Sequence, residues 1–134
     1  MAYIAQEPLF GGELFEHVCT TGAFDEGMCR YYFNQLLQGL HHIHSKGFAH
    51  LDLKPNNLLL DDNYDIKIID FGFADTLEGS KGDGLHSSIL GTPEFMAPEI
   101  WNRPYQAKPC DIFACGVILF YLRSGCGPFQ YEQF

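Results

Sequence analysis

The stretch that decides the fold runs His50-Leu-Asp-Leu-Lys-Pro-Asn-Asn57-Leu-Leu-Leu60. A polar loop carrying three chemically distinct groups passes at once into an apolar triplet, the pattern of a loop that ends in a buried strand. Asp52 is suited to positioning or deprotonating a hydroxyl. Lys54, two residues on, is suited to neutralising a transferred phosphoryl group. Asn57 offers a carbonyl oxygen to a hard cation such as Mg²⁺, which takes oxygen ligands. Thirteen residues after Asn57 the chain reads Asp70-Phe71-Gly72, at the end of a second apolar stretch. A carboxylate there is a second oxygen ligand, and Gly72 permits a sharp turn. Base, cation, amide and carboxylate on adjoining loops suit in-line transfer from a metal-bound nucleotide.

Outward from this centre, Leu58 to Leu60 and Ile66 to Ile69 read as short strands, and the polar stretch Asp61 to Asp65 joins them as a hairpin with a solvated acidic tip. Upstream, Cys29, Tyr32, Phe33, Leu36, Leu37, Leu40 and Ile43 trace one face of a 3.6-residue period. They predict a helix from Asp25, a natural N-cap, to Ser45, stopped by Gly47. His41, His42 and His44 fall at its C-terminal end, where the dipole favours a cation; a core or solvated role fits them better than metal ligation. Glu13 to Val18 predicts a short helix, Thr20 to Ala23 a turn, and residues 1–10 a strand end running into a connector. Residues 72–96 are rich in Gly, Ser and Thr without a period, and a loop of that length inside a compact domain is usually functional. A second helix is expected over Asp111 to Leu122, followed by a turn-rich end from Ser124 to Phe134.

The 134 residues weigh 15.2 kDa, enough for one domain that buries roughly two-thirds of its unfolded surface. Apolar residues at 46% and aromatics at 15% argue against disorder. Lys plus Arg total 8 against 17 for Asp plus Glu, a net charge of −9 that disfavours nucleic-acid binding and suits a basic partner. The longest apolar run, Ile112 to Leu122, has 11 residues where a membrane span needs about 20, so no membrane role is expected. Nothing in the first ten residues reads as a secretory signal. Five cysteines without a CxxC pair read as reduced, mostly buried thiols, and the expected location is the cytoplasm, with the nucleus left open.

HLDLKPNN at 50–57, DFG at 70–72 and APE at 97–99 together resemble the signature set of eukaryotic protein kinases, in order and in spacing. The resemblance covers essentially the whole chain, from GGELF at 11–15 to GCGPF at 125–129. It implies an α+β, mainly helical fold: residues 1–134 as the lower lobe of a kinase domain, cut at both ends. It implies ATP- and Mg²⁺-dependent phosphoryl transfer to protein Ser or Thr hydroxyls. By the same resemblance Asp52 matches the catalytic base, Lys54 a γ-phosphate contact typical of Ser/Thr kinases, and Thr92 the threonine bridging the two. Asn57 and Asp70 match the Mg²⁺ ligands. Glu7 and Leu9 fall on the linker that meets adenine, Leu59 lies beneath the adenine ring, and Glu13 reaches the ribose. His50 and Phe71 match a packing pair that sets the active arrangement, Asp111 the aspartate that orients the catalytic loop, and His44 a packing position. HLDLKP, FGGELF and GTPEFMAPEI look most like the calcium/calmodulin-dependent kinase group.

This sequence departs from the family pattern in four ways. Leu51 replaces an arginine that would hold a phosphorylated activation loop, so modification of Ser87 or Ser88, with Ser88 the better match, is not expected to be the main switch. Asn56 replaces a common Glu that selects basic substrates; Glu13 and Glu94 remain, and a protein substrate with basic residues near the acceptor is expected. Phe113 and Ala114 stand in place of Trp-Ser. The upstream lobe, with its Gly-rich loop and phosphate-anchoring Lys, and the closing C-terminal helices have no counterpart here, and Glu99 is expected to lack its usual arginine. The isolated chain is therefore expected to be inactive without the missing lobe or its full-length context. The rival expectation is a pseudokinase-like or truncated lobe that binds partners without transferring phosphate.

Overall fold

The computed structural model describes residue 1 and residues 3–129. Residues 130–134 of the expected turn-rich end lie outside the described residues. The chain forms α1 (Leu14–Thr21), α2 (Glu26–Ser45), β1 (Phe48–Ala49), β2 (Leu58–Leu60), β3 (Ile66–Ile68), β4 (Asp75–Thr76), α3 (Pro98–Trp101) and α4 (Ala107–Ser124), with 3₁₀ turns at Pro55–Asn57 and Pro93–Phe95. Two antiparallel ribbons hold the strands: β2 pairs with β3, and β1 with β4.

Each main element has a local cause. Asp25 Oδ1 accepts the Met28 N–H at 2.8 Å and caps α2. Cys29, Tyr32, Leu36, Leu40 and Ile43 turn inward along it, whereas Leu37 is exposed and Phe33 only half-buried. The apolar stripe is thus narrower than its sequence suggests. α1 runs past the turn expected at Thr20, because the Thr20 and Thr21 hydroxyls donate to the Glu16 and His17 carbonyls and close the last turn locally. α4 begins four residues before Asp111. Pro109 sits in its first turn, where a missing N–H costs nothing.

No strand forms in residues 3–10; without a neighbouring strand their backbone groups have no ladder to join. The chain gains a partner only at Gly11, whose N–H donates to Leu60 O at 2.9 Å, and Gly12, whose carbonyl accepts the Leu60 N–H at 2.9 Å. A Cβ on Gly11 would stand 2.6 Å from Leu60 O, so this approach requires glycine. The acidic hairpin tip is more than a solvated turn. Asp65 Oδ1 accepts from Tyr31 Oη (2.8 Å) and Gln35 Nε2 (2.6 Å), fastening the hairpin to α2. Backbone N–H groups, from Asp65 first and then Asn63, hold the Asp61 carboxyl below its ordinary range.

One apolar cluster joins α1, α2, β2 and α4 through Leu14, Leu36, Leu40, Leu58, Ile118 and Leu122. A second packs Leu51, Ala97, Ile100, Tyr105 and Cys110 beneath the 90–96 segment. All five cysteines are free; Cys29, Cys110 and Cys115 are buried, Cys19 and Cys126 exposed. Burial pushes the Cys110 and Cys115 thiols up to about 12, so both stay protonated and unreactive near neutrality. No helix among the described residues is long and apolar enough to cross a membrane.

The outer side of α4 is not covered. Ile112 and Phe120 are about half exposed, and Phe33, Leu119 and Phe120 line an open trough of about 670 Å³ between α2 and α4. The 134-residue chain is therefore expected to self-associate through this side. Light scattering should give a mass above 15.2 kDa that Ile112→Glu combined with Phe120→Glu returns to the monomer. A monodisperse wild-type monomer would refute this.

Candidate active site

The 50–57 loop is held from below by one buried carboxylate. Asp111, 1% exposed in the first turns of α4, accepts the His50 N–H (2.9 Å) on Oδ2 and the Leu51 N–H (2.8 Å) on Oδ1. His44 Nε2 donates to the same Oδ2 at 2.8 Å, so the α2 end that gathers three histidines uses one of them as a structural donor. This grip stabilises Leu51 in the left-handed region at φ 64°, a conformation that costs a leucine roughly 1–3 kcal/mol and needs its surroundings to impose it. The turn reverses the chain so that Asp52 faces the 92 segment while Leu51 sinks into the second core. Asp111, singled out by resemblance, bonds the backbone of the 50–51 turn directly.

Above the turn, four expected residues meet. Thr92 Oγ1 donates to Asp52 Oδ1 at 2.7 Å. Lys54 Nζ donates to Thr92 Oγ1 at 2.8 Å and lies 3.2 Å from Asp52 Oδ2. Asn57 Nδ2 donates to the Asp52 carbonyl at 2.8 Å and to Oδ2 at 3.2 Å. Asp52 and Asn57 are 6% and 5% exposed. A carboxylate this buried is stabilised by donors on both oxygens, and here it has a hydroxyl, an ammonium and an amide. Thr92 reaches it because Gly91 (φ 109°) lies against the Leu51 carbonyl, where a Cβ would stand at 2.6 Å.

Asp70 is placed differently. It is exposed, lies at φ 61°, and its Oδ1 accepts the Gly72 N–H at 3.2 Å. It has no direct bond to Asp52 or Asn57. The two loops are joined one residue earlier: Ile69 N–H donates to Asn57 O at 3.0 Å, and His50 Nε2 donates to Ile69 O at 2.9 Å. With Nε2 facing a carbonyl and Nδ1 accepting the Asp52 N–H at 3.2 Å, the His50 ring is fixed as the Nε2–H tautomer. The Phe71 ring lies 5.0 Å from that of His50, centroid to centroid, as the expected packing pair requires.

Glu7, Leu9, Leu59 and Asp70 line one open groove of about 1090 Å³. Asp52 and Thr92 instead border a separate void of about 10 Å³ above Asp111. Glu7, Leu9, Leu59 and Asp70 therefore gather around one groove and Asp52, Lys54 and Thr92 in one cluster, with the Asn57–Ile69 bond joining the two loops. Glu13 is not among the residues lining this groove; its backbone bridges Leu59, and its Oε2 accepts from Asn56 Nδ2 at 3.2 Å. Ser88 is exposed, and its carbonyl accepts from Tyr105 Oη at 2.7 Å.

The donor set fits a hard divalent cation. Both Asn57 amide hydrogens point toward Asp52, so the Asn57 carbonyl oxygen is left for another partner, and one Asp70 oxygen takes no bond from the described residues. Mg²⁺ is commonly held by one or two protein oxygens together with substrate phosphates and water. No cluster of three or more His, Cys, Asp or Glu able to hold a metal occurs among the described residues.

Sequence reasoning missed His86 and Tyr105. His86 is buried between Tyr105, whose ring lies 5.8 Å away, and Asp75, whose Oδ2 is 3.3 Å from His86 Nδ1. Together they fasten the middle of the long loop, which also contains β4. The only available signal was an isolated Leu85-His86 pair in a polar segment.

Residues 1–133 match the protein kinase domain family, and the chain belongs to it. Curated relatives include CBL-interacting protein kinase 26 of Oryza sativa subsp. japonica, 46% identical over 129 residues, and CBL-interacting serine/threonine-protein kinase 20 of Arabidopsis thaliana, 44% identical over 132. These alignments take in 96% and 98% of this chain but only 26% and 30% of the relatives' own length. Both are named protein kinases, and the second a serine/threonine-protein kinase, in line with the kinase resemblance of HLDLKPNN, DFG and APE.

Proposed function

We propose that this chain is the lower-lobe half of a Ser/Thr protein kinase site that transfers the γ-phosphoryl group of Mg·ATP to a protein hydroxyl. The observation that carries the reading is the Lys54–Thr92–Asp52–Asn57 cluster, in which a buried carboxylate is aimed by a hydroxyl, an ammonium and an amide. Asp52 accepts the proton of the substrate hydroxyl and orients its oxygen. Lys54 offsets the negative charge that spreads over the transferred group. Thr92 fixes the spacing of that base and cation. Asn57 and Asp70 would hold the metal, which would supply charge neutralisation at the transferred phosphate. The groove bordered by Glu7, Leu9 and Leu59 takes adenine, and Glu13 the ribose. Because Asn56 donates to Glu13, that carboxylate is shared with the chain's own amide, which weakens any selection for basic residues near the acceptor. A cytoplasmic location belongs to the same proposal.

Positioning supplies nearly all the acceleration in phosphoryl transfer, so these 134 residues alone are expected to show little Mg·ATP-dependent thermal stabilisation. Fusing the upstream lobe of a relative to Met1 is expected to give micromolar Mg·ATP binding and phosphorylation of protein Ser or Thr. Binding without transfer in the fusion would favour the pseudokinase-like interaction module instead. A micromolar Kd for the isolated chain would show that the groove needs no upper lobe.

A further inference from the structure

Resting on the kinase reading of the site, we propose that His86 is a positioning residue for the transfer: held between Asp75 and Tyr105, it fixes the 86–92 segment so that Thr92 reaches Asp52. His86 touches no reactant and acts through Thr92.

His86 is 6% exposed, although it lies in the middle of a loop rich in Gly and Ser. Two distant parts of the chain converge on it. Its backbone N–H donates to the Tyr105 carbonyl at 2.8 Å, and its carbonyl accepts the Tyr105 N–H at 3.0 Å. Its ring stacks on that of Tyr105, with 5.8 Å between centroids. Its Nδ1 lies 3.3 Å from Asp75 Oδ2. That carboxylate is aimed: Asp75 Oδ1 accepts the Thr76 N–H at 2.7 Å, which leaves Oδ2 for the imidazole.

Both partners lead to the catalytic loop. Asp75 pairs with Ala49 in the β1–β4 ribbon, and Ala49 directly precedes His50. Tyr105 packs in one apolar cluster with Leu51, which directly follows His50, and its hydroxyl donates to the Ser88 carbonyl at 2.7 Å. The segment is thus tied at His86 and Ser88 to the two residues that flank His50. Four residues beyond Ser88, Thr92 Oγ1 donates to Asp52 Oδ1.

The other ring nitrogen, His86 Nε2, is buried without a hydrogen-bond partner among the described residues. An unpaired buried polar atom costs stability, so what the imidazole contributes here is its stack and the Nδ1 contact. His86→Leu removes the orphaned atom together with the Nδ1 contact. It is expected to leave the melting temperature within about 3 °C of wild type while loosening the segment.

The test compares His86→Leu, Asp75→Ala and His86→Asn. An asparagine amide places an N–H near the position of Nδ1 and restores the contact to Asp75. In the 134-residue chain, amide exchange is read at Tyr105 and at Phe95, whose N–H donates to the Thr92 carbonyl. His86→Leu and Asp75→Ala should each speed it several-fold with Leu36 and Leu40 unchanged, and the double variant should add little to either. His86→Asn should stay near wild type. In the fusion that restores an upper lobe, His86→Leu should lower kcat about 10-fold, because misplacing the site costs rate. KM for Mg·ATP should hold, since the groove of Glu7, Leu9 and Leu59 is untouched, and His86→Asn should recover kcat. An inactive fusion would reject the kinase reading itself; an active fusion in which His86→Leu keeps its full kcat would reject the positioning role alone. Unchanged exchange in His86→Leu, additive effects of the two substitutions, or an asparagine variant as impaired as leucine would each overturn the proposal.

Discussion

Asp111→Ala is expected to cost about 3–5 kcal/mol, the range for breaking a buried charged network by removing one partner. Small domains have only about 5–15 kcal/mol in total, so the variant should sit near the edge of folding. The loss has three parts. The His50 and Leu51 N–H groups become buried donors without acceptors, the His44 ring loses its only described partner, and Leu51 is no longer compelled to stay at φ 64°. Asp111→Asn keeps the shape but turns an NH₂ toward one of these donors, and should fall between alanine and wild type. Urea unfolding checks this directly. A midpoint change equivalent to less than about 1 kcal/mol for alanine would mean that the loop is held by other contacts.

Asp52→Asn should have the opposite profile: a large effect on rate and a small one on stability. Measured in the fusion that restores an upper lobe, the expected loss of kcat is about 10²–10⁴-fold, the usual contribution of a positioned proton acceptor. The amide has the same size, and Thr92 can still donate to its oxygen, so the fold should survive. The Lys54 ammonium then faces a neutral group, which removes both an attraction and the need to bury a negative charge. A melting temperature within a few degrees of wild type, together with the rate loss, is the expected pair of results. A fully active Asp52→Asn would remove Asp52 from the chemistry.

Much of this was legible because it is written locally. The α2 periodicity, the Asp25 cap and the β2–β3 hairpin each depend on residues within a few positions of one another. HLDLKPNN and DFG announced which side chains to examine. What was not legible is set by distant partners. Phe48 pairs with Thr76 and Ala49 with Asp75, 28 and 26 positions away, and a two-residue strand has no period to detect. The α4 start was hidden because the apolar run begins only at Ile112, whereas the helix starts at Ala107, with Pro109 sitting harmlessly in its first turn. Leu37 fits the apolar stripe of α2 yet faces outward, since stripe width is set by what packs against it. Beyond the isolated Leu85-His86 pair, His86 carries no signature; its role follows from Tyr105 and Asp75 arriving from other parts of the chain.

The central claim is that Asn57 and Asp70, joined only through the Ile69 backbone, serve one metal beside Asp52. Paramagnetic broadening with Mn²⁺·ATP in the restored fusion tests it most directly. The expected result is simultaneous loss of the Asn57 side-chain amide and Gly72 backbone amide signals at substoichiometric Mn²⁺, weakened in both places by either Asn57→Ala or Asp70→Ala. Broadening that reaches only one of the two, or that centres elsewhere and ignores both substitutions, would contradict the account.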